Sequence, residues 1–232
     1  MFLKPKKKIK VMSFKSFNYK TENTVFCIGA GPSARGFNFD ILEEKREEKT
    51  IIVVNRVMDK IKHADFAITC DTSILKNYFR HVSFSGIKIA AMYEDFGQPN
   101  AFQVLTRNES FDPNIHFLAR RDNKGLSCDA SCIHGMANSG FGALGLAFHM
   151  VRESELKRKR IVLIGYDFRN HQDYWYNNTK LGDKDFPHND RQLNQFMIAS
   201  HQCGQEGVEV INCSPGSRLP FQISSLSQVR YL

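Results

Sequence analysis

The run Val25-Phe-Cys-Ile-Gly-Ala-Gly-Pro-Ser33 limits what this chain can fold into more than any other segment. Four apolar residues read as a buried strand, and Gly29, Gly31 and Pro32 then impose a tight turn. Glycine lets the backbone come close to a ligand, and proline stiffens the bend. A helix beginning just past Ser33 and Ala34 would point its free N–H groups at whatever occupies the turn. That geometry suits a phosphate or diphosphate.

The remaining chain supplies partners for such a strand. Thr50–Arg56 is β-branched and apolar, and Asp65–Asp71, Gly86–Tyr93, Ile115–Leu118, Arg160–Gly165 and Gly207–Asn212 read as further strands. Helices are predicted over Asp40–Lys49, Val57–Lys62, Thr72–His81, Ser139–Met150 and Asn189–Cys203. Gly125–Met136 reads as loop. Strands that alternate with helices and carry near-continuous apolar runs imply a mostly parallel α/β sheet covered on both faces, a Rossmann-like architecture. The expected organisation is a basic segment over 1–23, with a short strand near Ile9–Phe14, followed by a single domain over 24–232. Arg169–Pro187, polar and aromatic, is long enough to form a lid.

The formal charge of +8 favours an anionic ligand or partner such as nucleotide, acidic glycan or nucleic acid. No apolar run approaches a bilayer span, and the lysine-rich start lacks the apolar core of a secretory signal. Cys27, Cys70, Cys128, Cys132, Cys203 and Cys213 read as free thiols of a reducing, cytoplasmic compartment. Cys128, Cys132 and His134 lack a second pair at zinc-ligand spacing.

In parallel sheets, ligands sit beyond the carboxyl ends of strands where the strand order reverses. The strand-end residues that matter are therefore Gly29–Ser33 (with Gly29, Gly31, Pro32 and Ser33 foremost), Asn55, Arg56, Asp71, Tyr166, Asp167 and Asn212–Gly216. Asn138 or Ser139 is a natural cap for the apolar helix that follows, and with Gly140 it can offer N–H groups to phosphate. Gly29, Gly31 and Ala34 also approximate a dinucleotide fingerprint, with Arg56 placed to meet a 2′-phosphate. His188 lies in the run Gly182-Asp-Lys-Asp-Phe-Pro-His-Asn-Asp190. A neutral imidazole there can deprotonate a hydroxyl. Asp183, Asp185 and Asp190 form an alternative cluster for Mg²⁺. Tyr174, Trp175 and Tyr176 would stack on a sugar or base; His171 and His134 are weaker candidates.

Taken in order, Cys27-Ile-Gly-Ala-Gly-Pro-Ser33, the strand ending at Asn55, Asn138-Ser-Gly-Phe-Gly-Ala-Leu-Gly-Leu-Ala147, Ile161-Val-Leu-Ile-Gly-Tyr-Asp-Phe168, His188 and Val210-Ile-Asn-Cys-Ser-Pro215 resemble the framework of bacterial lipooligosaccharide sialyltransferases. The same framework is similar to Maf-type flagellin glycosyltransferases and to hydroxymethylpterin pyrophosphokinases. The resemblance implies a nucleotide-sugar donor, CMP-sugar-like, held by the glycine turn, Asn55, Ser139 and Gly140. It implies a tyrosine among Tyr174 and Tyr176 at the leaving phosphate, and His188 as base. The acceptor would be a hydroxyl of a glycan or of modified DNA. Arg169 stands where the sialyltransferases tend to carry tyrosine, and would stabilise phosphate by charge. No tightly bound cofactor is implied, and Mg²⁺ enters with the pyrophosphokinase alternative.

Overall fold

The computed structural model describes residues 13, 24–44, 46–93, 115–121, 124–135, 138–155, 158–168 and 190–231. The basic segment 1–23, Ser13 apart, and the expected lid with Arg169, His171, Tyr174, Trp175, Tyr176, Asp183, Asp185 and His188 lie outside them. Among the described residues nine strands build one sheet: β1 (Thr24–Ile28), β2 (Lys49–Val54), β3 (Phe66–Thr69), β4 (Ile87–Tyr93), β5 (Ile115–Arg121), β6 (Cys132–His134), β7 (Lys159–Ile164), β8 (Val208–Asn212) and β9 (Gln222–Ile223). Their order is β6-β5-β4-β3-β2-β1-β7-β8-β9, and every pairing is parallel. The direction of winding reverses between β1 and β7. This is the expected α/β Rossmann-like fold.

β1 shows why. All five of its residues are buried, so side chains pointing to both faces are covered. The register sets Phe26 between Ile51 and Val162, and Cys27 between Ile52 and Leu163. Such a strand belongs in the middle of a sheet.

The main covering helix is α2 (Ser139–Arg152), which follows the short α1 (Thr72–Ile74) in the chain. Twelve of its residues are buried, so it is wrapped on nearly all sides rather than amphipathic. Its glycines allow a close approach: a Cβ on Gly142 would lie 3.0 Å from the Cys70 sulfur and 3.1 Å from Ile133 Cδ1. α3 (Asp190–Gln205) docks through Phe196, whose ring meets Phe141 at 5.0 Å and Phe168 at 5.2 Å.

Several expected elements differ. Asp40–Lys49 is not a helix but two short 3-10 turns, Phe39–Glu43 and Arg46–Glu48, with Lys49 already in β2. Its Glu/Lys-rich middle has no apolar stripe to hold an α-helix against the sheet. The turn after β2 is likewise 3-10, over Asn55–Asp59. Thr72–His81 divides into α1 and a wide turn at Leu75–Phe79. Gly125–Met136 contains β6, and the Pro/Ser-rich end contains β9.

The six cysteines are free, five of them buried. Burial raises the Cys203 thiol to about 12 and the Cys213 thiol to about 11, so both stay protonated and unreactive. No helix among the described residues is long and apolar enough to cross a membrane.

His149, on α2 and 1% exposed, carries a pH signature. Burial first, then the charge of Arg152, lowers its pKa from 6.5 to about 4. Between those values the unfolded chain takes up a proton that the native protein does not. Stability should therefore fall as pH drops from 6.5 to about 4, by about 2–3 kcal/mol from this group. Urea melts of wild type and His149→Leu across that window check this: the variant should lose the slope, and an unchanged slope would assign it to other groups.

Candidate functional site

The switch between β1 and β7 is closed by direct backbone contact. Gly29 N donates to Ile164 O at 2.7 Å, and Gly31 N donates to Gly165 O at 2.9 Å. A Cβ on Gly29 would sit 2.6 Å from Gly165 O, and one on Gly165 2.7 Å from Gly29 O. Gly165 also needs its positive φ of 73°. The glycines of the turn thus bring the two strand ends against each other.

Pro32 opens only a three-residue 3-10 turn, Pro32–Ala34, not the helix expected there. The Ser33 N–H points at protein: it donates to both Asp167 carboxylate oxygens at 3.2 Å, and the Ser33 hydroxyl donates to Oδ2 at 2.8 Å. Asp167, 1% exposed, braces the turn. Asp71 is also engaged, capping α1 by accepting from Ser73 N at 2.7 Å and Ile74 N at 3.2 Å.

The helix terminus facing the strand ends is that of α2. Asn138 caps it, its Oδ1 accepting from Phe141 N at 3.0 Å. The N–H groups of Ser139 and Gly140 have no partner among the described residues. The Ser139 hydroxyl accepts from Cys70 N at 2.9 Å and donates to Asn55 Oδ1 at 3.0 Å. Thr69 Oγ1 donates to the same Asn55 oxygen at 2.8 Å. On the other side, Tyr166 OH donates to Gly140 O at 3.0 Å. The start of α2 is thereby tied to the ends of both β3 and β7.

Asn55 holds φ at 50°, a left-handed conformation that asparagine tolerates better than most residues. Its Nδ2 has no partner among the described residues. A strained residue with one amide face fixed and the other free fits a ligand contact. Arg56, next in the chain, stacks its guanidinium on Tyr78 at 4.7 Å, and its buried Nε has no hydrogen-bond partner.

Arg120 at the end of β5 is the residue that sequence reading missed. It is 5% exposed. Its Nη1 donates to Cys70 O at 2.7 Å, its guanidinium lies 3.9 Å from the Tyr93 ring centroid, and its Nε is buried without a partner. Two arginines therefore flank the end of β3, and neither has a carboxylate partner among the described residues.

The structure thus brings Asn55, Arg56, Asn138, Ser139 and Gly140 to one edge of the sheet. Gly29, Gly31, Pro32, Ser33 and Asp167 form the adjoining brace. Asp190 is exposed as the first residue of α3. Among the described residues no three metal-ligating side chains converge.

No family description matches the chain, and no curated protein does. Among solved structures, a Maf glycosyltransferase from Magnetospirillum magneticum AMB-1 superposes over 95% of this chain with a TM-score of 0.58 and 12% identity. The match spans 36% of that protein's length, and the likeness is one of fold.

Proposed function

We propose that this chain is a glycosyl-transfer domain that binds a nucleotide-activated sugar at the carboxyl edge of the sheet and passes the sugar to an acceptor hydroxyl. The observation that carries the reading is the Ser139–Asn55 hydrogen bond of 3.0 Å. These two residues come from segments far apart in the chain, and they are the pair that the sialyltransferase resemblance assigns to the nucleotide. The Maf-like fold supports the same reaction class.

In this reading Asn55 Nδ2 holds the nucleotide, and the free Ser139 and Gly140 N–H groups stabilise the phosphate as it departs. Arg169 and a tyrosine among Tyr174 and Tyr176 add charge and a hydrogen bond to the leaving group. His188 accepts the proton of the attacking hydroxyl. The sugar moves in one displacement, with no covalent intermediate on the protein.

A melting-temperature screen with CMP, UDP, GDP, ATP and NADPH tests the nucleotide, since a ligand bound only by the native state raises Tm by mass action. Ser139→Ala should abolish most of that rise, and the matching activated sugar should be hydrolysed or transferred by wild type. Nucleotide cleavage requiring Mg²⁺ with AMP release would replace glycosyl transfer with diphosphoryl transfer, and would bring Asp183, Asp185 and Asp190 forward as metal ligands. Steeply salt-dependent DNA binding without turnover would replace both.

A further inference from the structure

We propose that Arg120 is a buried anion receptor of this site, holding a phosphate oxygen of the ligand, with Arg56 supplying a second positive charge at the same edge. A guanidinium removed from water is costly unless its donors and its charge are met. Arg120 is 5% exposed, yet among the described residues it has only the carbonyl and thiol of Cys70 and the ring of Tyr93, with its Nε unmet.

Asp71, the acid that also faces Cys70, is engaged in capping α1. The carbonyl that Arg120 grips belongs to Cys70, whose own N–H is held by the Ser139 hydroxyl at the start of α2. Positive charge and free helix-terminal N–H groups are thus joined through a single residue, Cys70. Arg56 repeats the arrangement, with a ring beneath it and a buried Nε unmet. Two unmatched cations suit a polyanionic phosphate better than a single carboxylate. The inference rests on the nucleotide reading above and adds the residue that holds its phosphate.

The test uses the full chain at low salt, with inorganic pyrophosphate as probe. In wild type the Arg120 side-chain Nε–H resonance should move on titration. Calorimetry should show pyrophosphate binding weakened at least tenfold in Arg120→Gln and less in Arg120→Lys. Arg158→Gln, which alters an exposed ion pair to Glu209, should leave it unchanged. The melting temperature of ligand-free Arg120→Gln should hold or rise, because an unmatched buried charge has gone. CDP should bind more tightly than CMP, and UDP more tightly than UMP, with both differences reduced in Arg120→Gln.

A fall in Tm with pyrophosphate affinity intact would make Arg120 structural and overturn the proposal. So would a static Arg120 resonance, which requires no variant to fold. Nucleotide binding indifferent to Arg120→Gln would sink this inference and spare the nucleotide site. Arg120-dependent pyrophosphate binding without turnover of any activated sugar would keep the receptor and sink glycosyl transfer.

Discussion

Gly31→Ala should be among the most damaging single-methyl additions in the protein, lowering stability by about 3 kcal/mol or more. The backbone is not the reason. Gly31 has φ −66° and ψ 148°, which alanine adopts freely. The cost comes from the space. A Cβ there would lie 2.0 Å from Asp167 Oδ2 and 2.6 Å from Gly165 O. Neither neighbour can yield easily. Asp167 is buried and holds Ser33, and Gly165 is pinned by its pairing with Gly31 N.

For a chain of this length the loss corresponds to a drop in Tm of roughly 6–12 °C. Gly204→Ala is the control: nothing lies within 4 Å of its added Cβ, and α3 should gain up to about 1 kcal/mol. A Gly31→Ala protein within 1 kcal/mol of wild type in denaturant melts would show that β1 and β7 part readily at their ends.

His188→Ala should leave nucleotide affinity close to wild type and slow transfer by about 100-fold or more, the usual contribution of a positioned general base. The chain places His188 two residues ahead of α3. That helix is fixed by Phe196 against Phe141, in the first turn of α2, and against Phe168, next to Asp167. From Asp190 to Phe196 is roughly 9 Å of helix rise. The pH profile gives a second readout. In wild type the rate should fall on the acid side as the imidazole protonates, and in the variant that limb should disappear. Transfer at near-normal rates by a folded variant would remove His188 as the base.

The central strands were legible because a strand covered on both faces leaves an unbroken apolar run, as in Val25–Ile28 and Ile161–Ile164. β6 and β9 were not, because short edge strands such as Cys132-Ile-His134 and Gln222-Ile223 carry no such run. The failed Asp40–Lys49 helix shows the opposite error: helix-favouring residues without a packing stripe remain turns. At the site, Asn55 and Ser139 were readable as strand-end and cap residues. The contact that the glycine turn makes with Gly165 was not, since nothing local announces a partner so distant in sequence. Arg120 stayed hidden for a related reason. In Phe117-Leu-Ala-Arg-Arg121 an arginine pair reads as a solvated strand end, and only the fold shows Arg121 at the surface and Arg120 beneath Tyr93.

The strand order also has a consequence for synthesis. Of the described strands β1 emerges first, yet one of its two neighbours, β7, is paired through Thr24↔Arg160 and must wait for most of the chain. Until then the hydrogen-bonding flank of this wholly buried strand stays open, a template for pairing with another nascent polypeptide. Ribosome-bound chains truncated before 159 should accordingly be captured by chaperones more strongly than chains extending past 164.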